Sequence, residues 1–356
     1  MEIKENIVIG WSCWGFLGDG IADTPDGGRC HRLPLIRQLI KKGCSIIMLQ
    51  QNRDYTECGQ YFAEEGLSFS KELPEIDLLF LEYRWPIPGR NCCVDEMSES
   101  FTPDLKRQNE LISFYRSKHI PIIAWDKDQK LPQKEEYLFN IIMEASLLPN
   151  DNRVSLLFPM SNEIQKKFVE KIVSYDKEER DIDIVYIGNQ YERDETFKKY
   201  FNDVLSKQSF ENAVFGNWTK YVDQKKKNKK KFPLVNFQDR IAYSKIYEYY
   251  KRSLVTPLIA PDRYYKSGQI TQRLFEAIGE QCVPLFPGEY CCVTEVAIPE
   301  LIVYSSNDVY LKICELREMS NSDIAELLKR QFNKIQNYAV DIQADNLILQ
   351  IKKLLQ

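Results

Sequence analysis

Histidine is scarce in this chain, which has only His31 and His119. A histidine-rich metal centre is therefore excluded. Ten cysteines are scattered without a single C-x-x-C pair. The adjacent Cys92-Cys93 and Cys291-Cys292 are poorly spaced to chelate one zinc ion. No apolar run approaches the ~18 residues that a membrane span needs. The start, Met1-Glu2-Ile3-Lys4-Glu5-Asn6, is charged and does not read as a signal peptide. These absences together lead us to expect a soluble, cytoplasmic protein with reduced thiols. An excess of positive charge is lacking as well: 48 basic against 52 acidic side chains leave a net charge of −4. That excludes nucleic-acid binding through overall charge alone but leaves local basic patches open.

What is present is a globular composition, 44% hydrophobic and 28% charged, over 356 residues. A single core stops growing near ~250–300 residues, so two domains are expected. Short β-rich runs alternate with helical stretches. Ile7–Ile9, Ser45–Leu49, Ile76–Leu81, Ile120–Trp125 and Val154–Phe158 read as strands. Leu33–Lys42, Leu105–Lys118 and Glu135–Ser146 read as helices. The continuous apolar runs are what strands buried on both faces require. A polar stretch across residues 162–183 marks the passage between domains, and the alternation then restarts at Ile184–Ile187. The expected fold class is α/β, with two Rossmann-like domains facing across a cleft. We assign residues 1–160 to an N-terminal domain and 161–340 to a C-terminal one. Residues 341–356 are a helix expected to pack back on the first domain.

The most informative stretch is Pro261–Phe286. A polar loop, Arg263–Gly268, feeds an amphipathic helix and then a buried strand. Arg273 and Glu276 stand three residues apart and share a helix face. An Arg there can hold phosphate oxygens, and a Glu one turn on can accept two ribose hydroxyls. A plain intrahelical ion pair accounts for the same spacing. Lys225–Lys231 carries six lysines in seven residues, which fits either a solvated loop or a loop that grips a polyanion.

The run Gly268-Gln269-Ile270-Thr271-Gln272-Arg273-Leu274-Phe275-Glu276, followed by Val283-Pro284-Leu285, resembles the donor-binding element of GT-B glycosyltransferases. Asp183–Asn189 with Arg193 resembles the first strand and loop of the same domain, and Phe215-Gly216-Asn217 fits its next turn. Spore-maturation-type glycosyltransferases share these features. A closer likeness is to the DNA β-glucosyltransferases of T-even bacteriophages, which glucosylate 5-hydroxymethylcytosine in DNA. Phe237–Ile241 and Asp262–Glu276 follow their spacing. The resemblance implies a UDP-sugar donor, most simply UDP-glucose. It places Gly188, Asn189, Gly216, Asn217, Gln269, Ile270 and Thr271 around that donor. Ile241 would meet the base, Arg193 and Arg273 the diphosphate, Glu276 the ribose, and Tyr265 the pocket wall. The loop after Gly188 is shorter than in the phage family, and Tyr191 stands where that family has a phosphate-binding Arg.

The N-terminal half is similar only in architecture. Its long first loop is rich in Gly and Asp; Asp19 and Gly20, with Asp23 and Asp26, could reach an acceptor, although turn chemistry uses the same residues. Asp126 and Asp128 follow a buried strand, where the phage family has its general base before a Leu-Pro like Leu131-Pro132. Counting from either end favours one or the other. The alternative roles are a cap for Asp126 and an ion pair with Lys127 or Lys130 for Asp128. His31, at the start of the first helix, is a third candidate base. Tyr83, Trp85 and Trp125 at strand ends could stack on a sugar or base, or simply pack.

The reading is a glycosyltransferase that moves a sugar to a hydroxyl by inverting displacement. The acceptor is expected to be a 5-hydroxymethylpyrimidine in duplex DNA, with action in a phage-infected host's cytoplasm. A glycan, protein or small-molecule acceptor is the alternative, and a nucleotide-sugar-binding module without catalysis is the rival from another class. A divalent cation is compatible with the reading, although no ligand set for one is recognisable.

Overall fold

A computed structural model describes residues 6–13, 30–49, 65–70, 72–86, 104–219 and 222–356. The chain divides into two units. One comprises residues 1–159 with 340–356, and the other residues 160–339. Asp19, Gly20, Asp23 and Asp26 lie outside the described residues.

The first unit is built on a parallel sheet of seven strands, β1 (Ile7–Ser12), β2 (Cys44–Met48), β3 (Ser68–Phe69), β4 (Leu78–Glu82), β5 (Ile122–Asp126), β6 (Ile141–Glu144) and β7 (Val154–Ser155). Their order is β3-β2-β1-β4-β5-β6-β7. Every residue of β4 and β5 is buried, as expected for strands covered on both faces. On one face Leu35 and Leu39 pack with Ala344, Leu347 and Ile351 of the C-terminal helix, Val340–Leu355. On the other, Leu111, Ile112 and Tyr115 of the helix Asp104–Ser117 cover Leu79, Leu81 and Ile122. Each such side chain contributes about 1.5–3 kcal/mol when fully buried.

The second unit carries a parallel sheet of β8 (Ile182–Ile187), β9 (Asn212–Phe215), β10 (Ser253–Pro257), β11 (Val283–Pro287) and β12 (Ile302–Val303). The order is β12-β11-β10-β8-β9. The helices Asn162–Lys171 and Arg273–Gly279 pack so closely that a Cβ on Gly279 would lie 3.2 Å from Ile164. Two parallel sheets with flanking helices confirm the α/β class and two Rossmann-like domains.

Several local expectations are corrected. Glu135–Ser146 is one 3-10 stretch, Gln133–Leu138, followed by strand β6. The β-branched Ile141-Ile142 pairs with Ile123 and Ala124, and the open edge of β5 outweighs the helical propensity of the glutamates. Lys225–Lys231 is not a loop but the end of the helix Val222–Lys231. Arg263–Gly268 is also helical, Asp262–Ser267, and stops at Gly268 with φ +66°. The polar stretch 162–183 belongs wholly to the second unit. No helix among the described residues is long and apolar enough to cross a membrane.

Candidate functional site

In the second unit, β8 and β10 are neighbours although the chain leaves them in opposite directions, to β9 on one side and β11 on the other. A crevice opens beyond the carboxyl ends of strands at such a switch point. The Gly188 N–H donates to Phe215 O (2.9 Å), and Trp218 Nε1 donates to Gly188 O (2.7 Å). Gly216 has φ +137°, and a Cβ there would stand 2.3 Å from Gly188 O. Asn189 Oδ1 accepts from the Asn217 N–H (3.2 Å), and Asn217 Oδ1 accepts from the Gln190 N–H (3.0 Å). Gly188, Asn189, Gly216 and Asn217 are thus brought together as a lock between two loops.

Two arginines border this lock. Arg193 is buried, and its Nη1 donates to Asn189 O (3.3 Å) and Tyr191 O (2.7 Å) while its Nε has no partner among the described residues. Arg273 Nη1 donates to Ile259 O (2.8 Å), just past β10. Its guanidinium lies 5.3 Å from the ring centre of Tyr186 on β8. Arg273 therefore spans the ends of both central strands with its remaining N–H groups uncommitted among the described residues.

Glu276 sits one turn along the same helix, 3% exposed, and forms no ion pair with Arg273 among the described residues. Its Oε1 is buried without a hydrogen-bond partner among the described residues. Burial pushes its pKa up to about 7, against the opposing pull of Arg273. The nearby Tyr250 hydroxyl is likewise buried and unpartnered among the described residues. A carboxyl held in this way is destabilising until a donor reaches it. A vicinal diol has two hydroxyl donors at the right separation for one carboxylate.

The other residues proposed around the donor are more structural. The Tyr265 hydroxyl accepts from the Ala260 N–H (2.9 Å), and its ring stands edge-on to Tyr290 at 4.5 Å. Tyr265 also lines a cavity of about 550 Å³ with Lys199, Lys266 and Glu289. Gln269 and Ile270 are buried, and Thr271 is half-buried at the turn into the Arg273 helix. Ile241 is half-buried on a segment tied beside β9, where the Gln238 N–H donates to Val214 O (2.8 Å). Sequence reasoning missed Tyr186, Gln190 and Ile259. Their roles depend on backbone carbonyls and ring faces brought in from elsewhere.

In the first unit a charged cluster is buried where β1, β4 and β5 end. Glu82 accepts from Trp11 Nε1 (3.0 Å), from Arg32 Nε (2.5 Å) and Nη2 (2.7 Å), and from Lys127 Nζ. Burial alone would raise its pKa, but Arg32 and Lys127 outweigh burial and hold it well below the usual range. Lys127 Nζ also lies 3.1 Å from His31 Nε2. With Lys127 donating, the histidine proton sits on Nδ1, facing Cys30 Sγ at 3.0 Å. Burial, then Lys127 and Arg32, lower the His31 pKa well below 6.5. His31 is thus neutral, with its basic nitrogen already engaged.

The two candidate aspartates are distinguished by their surroundings. Asp126 is fully buried and accepts from the N–H groups of Lys130 (2.9 Å) and Leu131 (2.8 Å), with Arg153 at 3.1 Å. Burial raises its pKa despite those bonds. It holds the turn after β5, as a cap would. Asp128 is partly exposed and pairs with the buried Arg84 at 2.8 Å, not with Lys127 or Lys130. Trp125 is fully enclosed, its Nε1 donating to Leu156 O (3.1 Å), so it offers no face for stacking. Tyr83 is buried, with its hydroxyl on Glu135 (2.9 Å), and Trp85 is half-buried beyond β4. No group of three or more His, Cys, Asp or Glu among the described residues is placed to hold a metal ion.

Neither a protein-family model nor a curated protein sequence matches the chain. Solved structures do, and they show that the fold is that of the GT-B glycosyltransferases. A DNA-modifying β-glucosyltransferase, solved with and without uridine diphosphoglucose, matches with a TM-score of 0.63 and 14% identity, covering 98% of this chain and 100% of the other. T4 phage β-glucosyltransferase bound to its UDP-glucose substrate matches at 0.62 and 15%, over 98% and 99% of the two chains. A glycosyltransferase from Rickettsia africae matches at 0.62 and 10%, over 99% and 100%.

Proposed function

We propose that the protein is a UDP-sugar-dependent glycosyltransferase, with UDP-glucose as donor and a 5-hydroxymethylpyrimidine in DNA as acceptor. The observation that carries the donor assignment is Glu276, a buried carboxyl with an oxygen unpartnered among the described residues, one turn from Arg273 at the β8/β10 switch point. Its carboxylate would accept the ribose hydroxyls. Arg273 and Arg193 would hold the diphosphate, and Ile241 would lie against the uracil. As the bond from the anomeric carbon to the phosphate oxygen breaks, negative charge grows on UDP, and the two guanidiniums stabilise it.

Asp128 is the base this reading assigns. It would take the proton of the acceptor hydroxyl while that oxygen attacks the anomeric carbon from the face opposite UDP, inverting the configuration. Asp126 would hold the turn that carries Asp128, and Arg84 would orient its carboxylate. Support for the DNA acceptor comes from the structural match to a DNA-modifying glucosyltransferase and from the phage-like spacing of the donor half.

The test is UDP release from UDP-glucose in the presence of DNA containing 5-hydroxymethylcytosine, 5-hydroxymethyluracil or only cytosine. Release with hydroxymethylated DNA alone supports the whole reading. Binding of UDP-glucose that Glu276→Ala abolishes, with no release on any DNA, retains the donor site and removes the DNA acceptor. Absence of UDP-glucose binding overturns the reading.

A further inference from the structure

The helix Val222–Lys231 carries six lysines and one acidic residue, Asp223. All six lysines are exposed, whereas Asn228 is buried. Asn228 Nδ2 donates to Trp218 O (2.7 Å) and Gln190 Oε1 (2.8 Å), and Phe232 beyond the helix is fully buried. One edge is therefore tied to the loop that follows β8. Lys231 pairs with Asp194 across this seam at 2.8 Å. At about 100° per residue, Lys226, Lys227, Lys229 and Lys230 fan over the side opposite Asn228. None of these four has an ion-pair partner among the described residues.

Like charges three and four positions apart oppose helix formation. Lys226 with Lys229 and Lys230, and Lys227 with Lys230, are such pairs. Acidic neighbours that would relieve the repulsion are available in a chain of net charge −4, yet the outer face has none but Asp223. Val222, at the first position of the helix, is the single apolar side chain on this face, too little for the apolar stripe that a helix lying in a membrane interface needs.

We propose that this helix is a docking surface for the phosphate backbone of duplex DNA, with Lys226, Lys227, Lys229 and Lys230 each meeting a phosphate. The inference rests on the DNA-acceptor reading and adds a surface to it. Asn228 and Gln190 join this surface to the loop that carries Arg193, so DNA and donor would be held by adjoining parts of one unit.

The experiment uses the full chain and the variant in which Lys226, Lys227, Lys229 and Lys230 are all changed to Gln. Binding of a short fluorescent duplex, with and without 5-hydroxymethylcytosine, is followed between about 50 and 200 mM salt. UDP-glucose affinity and thermal unfolding report that the variant is folded. We expect a loss of at least about tenfold in DNA affinity at low salt. The slope of log K against log salt should fall in magnitude by about 3.6, ~0.9 for each of the four phosphate contacts. UDP-glucose affinity should be unchanged.

Equal affinity and slope for the two proteins overturn the proposal, even where hydroxymethylated DNA is glucosylated and the acceptor reading stands. Lysine-dependent binding of duplex without glucosyl transfer supports the surface while removing the acceptor reading. Binding to phosphatidylserine vesicles but not to duplex overturns the proposal in favour of a lipid surface.

Discussion

Replacing Glu276 by Gln tests stability and donor binding together. The carboxyl has a pKa of about 7 in the folded chain, pushed up by burial, against an ordinary value of 4.5. Below about pH 4.5 it is protonated whether the chain is folded or unfolded, and it costs nothing. As pH rises from there, the unfolded chain releases the proton first. The folded chain binds more protons, so stability falls with pH until about 7. The gap, at ~1.36 kcal/mol per pH unit, amounts to about 3 kcal/mol. The group is almost wholly shielded from solvent, so screening removes little of it. Glutamine cannot ionise, but its amide leaves a buried donor that costs about 1–2 kcal/mol. Glu276→Gln should therefore stabilise the protein by about 1–2 kcal/mol at pH 8 and destabilise it slightly at pH 4.5. Urea unfolding across this range measures the difference directly. The same variant should lose at least about tenfold in UDP-glucose affinity, because charge-assisted hydrogen bonds of ~1.5–3 kcal/mol each are weakened. Wild-type affinity should itself climb with pH towards 7 and then level off, as the carboxylate forms. A stability profile for the variant that runs parallel to that of wild type, or unchanged UDP-glucose affinity, would refute the reasoning.

Asp128→Asn should lower the rate of transfer by about 10²–10⁴-fold while leaving UDP-glucose affinity alone, as single-turnover kinetics and calorimetry would show. Asp126→Asn should act on stability, by about 1–3 kcal/mol, because an amide cannot accept from both Lys130 and Leu131 with Arg153 alongside. Arg273→Lys should weaken UDP-glucose binding by about tenfold or more, since one ammonium cannot hold Ile259 O and still offer a planar fork. Gly216→Ala should cost more than about 2 kcal/mol in urea unfolding, because the new Cβ meets Gly188 O at φ +137°; a near-neutral result would show that the two loops can part.

The parallel sheets were legible because β4, β5 and β11 are short apolar runs that only burial on both faces explains. Arg273 and Glu276 were legible as a shared helix face because both lie on one local element. The choice between an ion pair and a ligand site was not, since it turns on whether a partner reaches Glu276. Glu135–Ser146 was misread because its local propensity is helical, while the winning interaction is a ladder to β5. The lysine run was misread for a related reason: Asn228, which is buried at its centre, draws its partners from Gln190 and Trp218. Asp126 and Asp128 are two positions apart in sequence. What separates them is Arg153, 27 residues on from Asp126, and Arg84, 44 residues before Asp128.

Buried charge is handled in opposite ways in the two units. In the first, Glu82 is surrounded by Arg32, Lys127 and Trp11, and its ionised form is favoured before any ligand arrives. Truncating one partner there would leave a buried charge exposed to the full desolvation penalty. That is the behaviour of a network that holds strand ends in register, and it explains why His31, drawn into it through Lys127, is poorly suited to take up a proton. In the second unit Glu276 has a nearby cation, Arg273, and yet the two do not pair, because Arg273 is turned towards Ile259 O and the Tyr186 ring. Had Arg273 swung to Glu276, both charges would be satisfied and neither would be available. Keeping them apart sacrifices stability and leaves an acceptor and a donor set uncommitted, among the described residues, one helical turn apart. A sugar nucleotide requires that combination, because its ribose donates hydrogen bonds while its diphosphate accepts them.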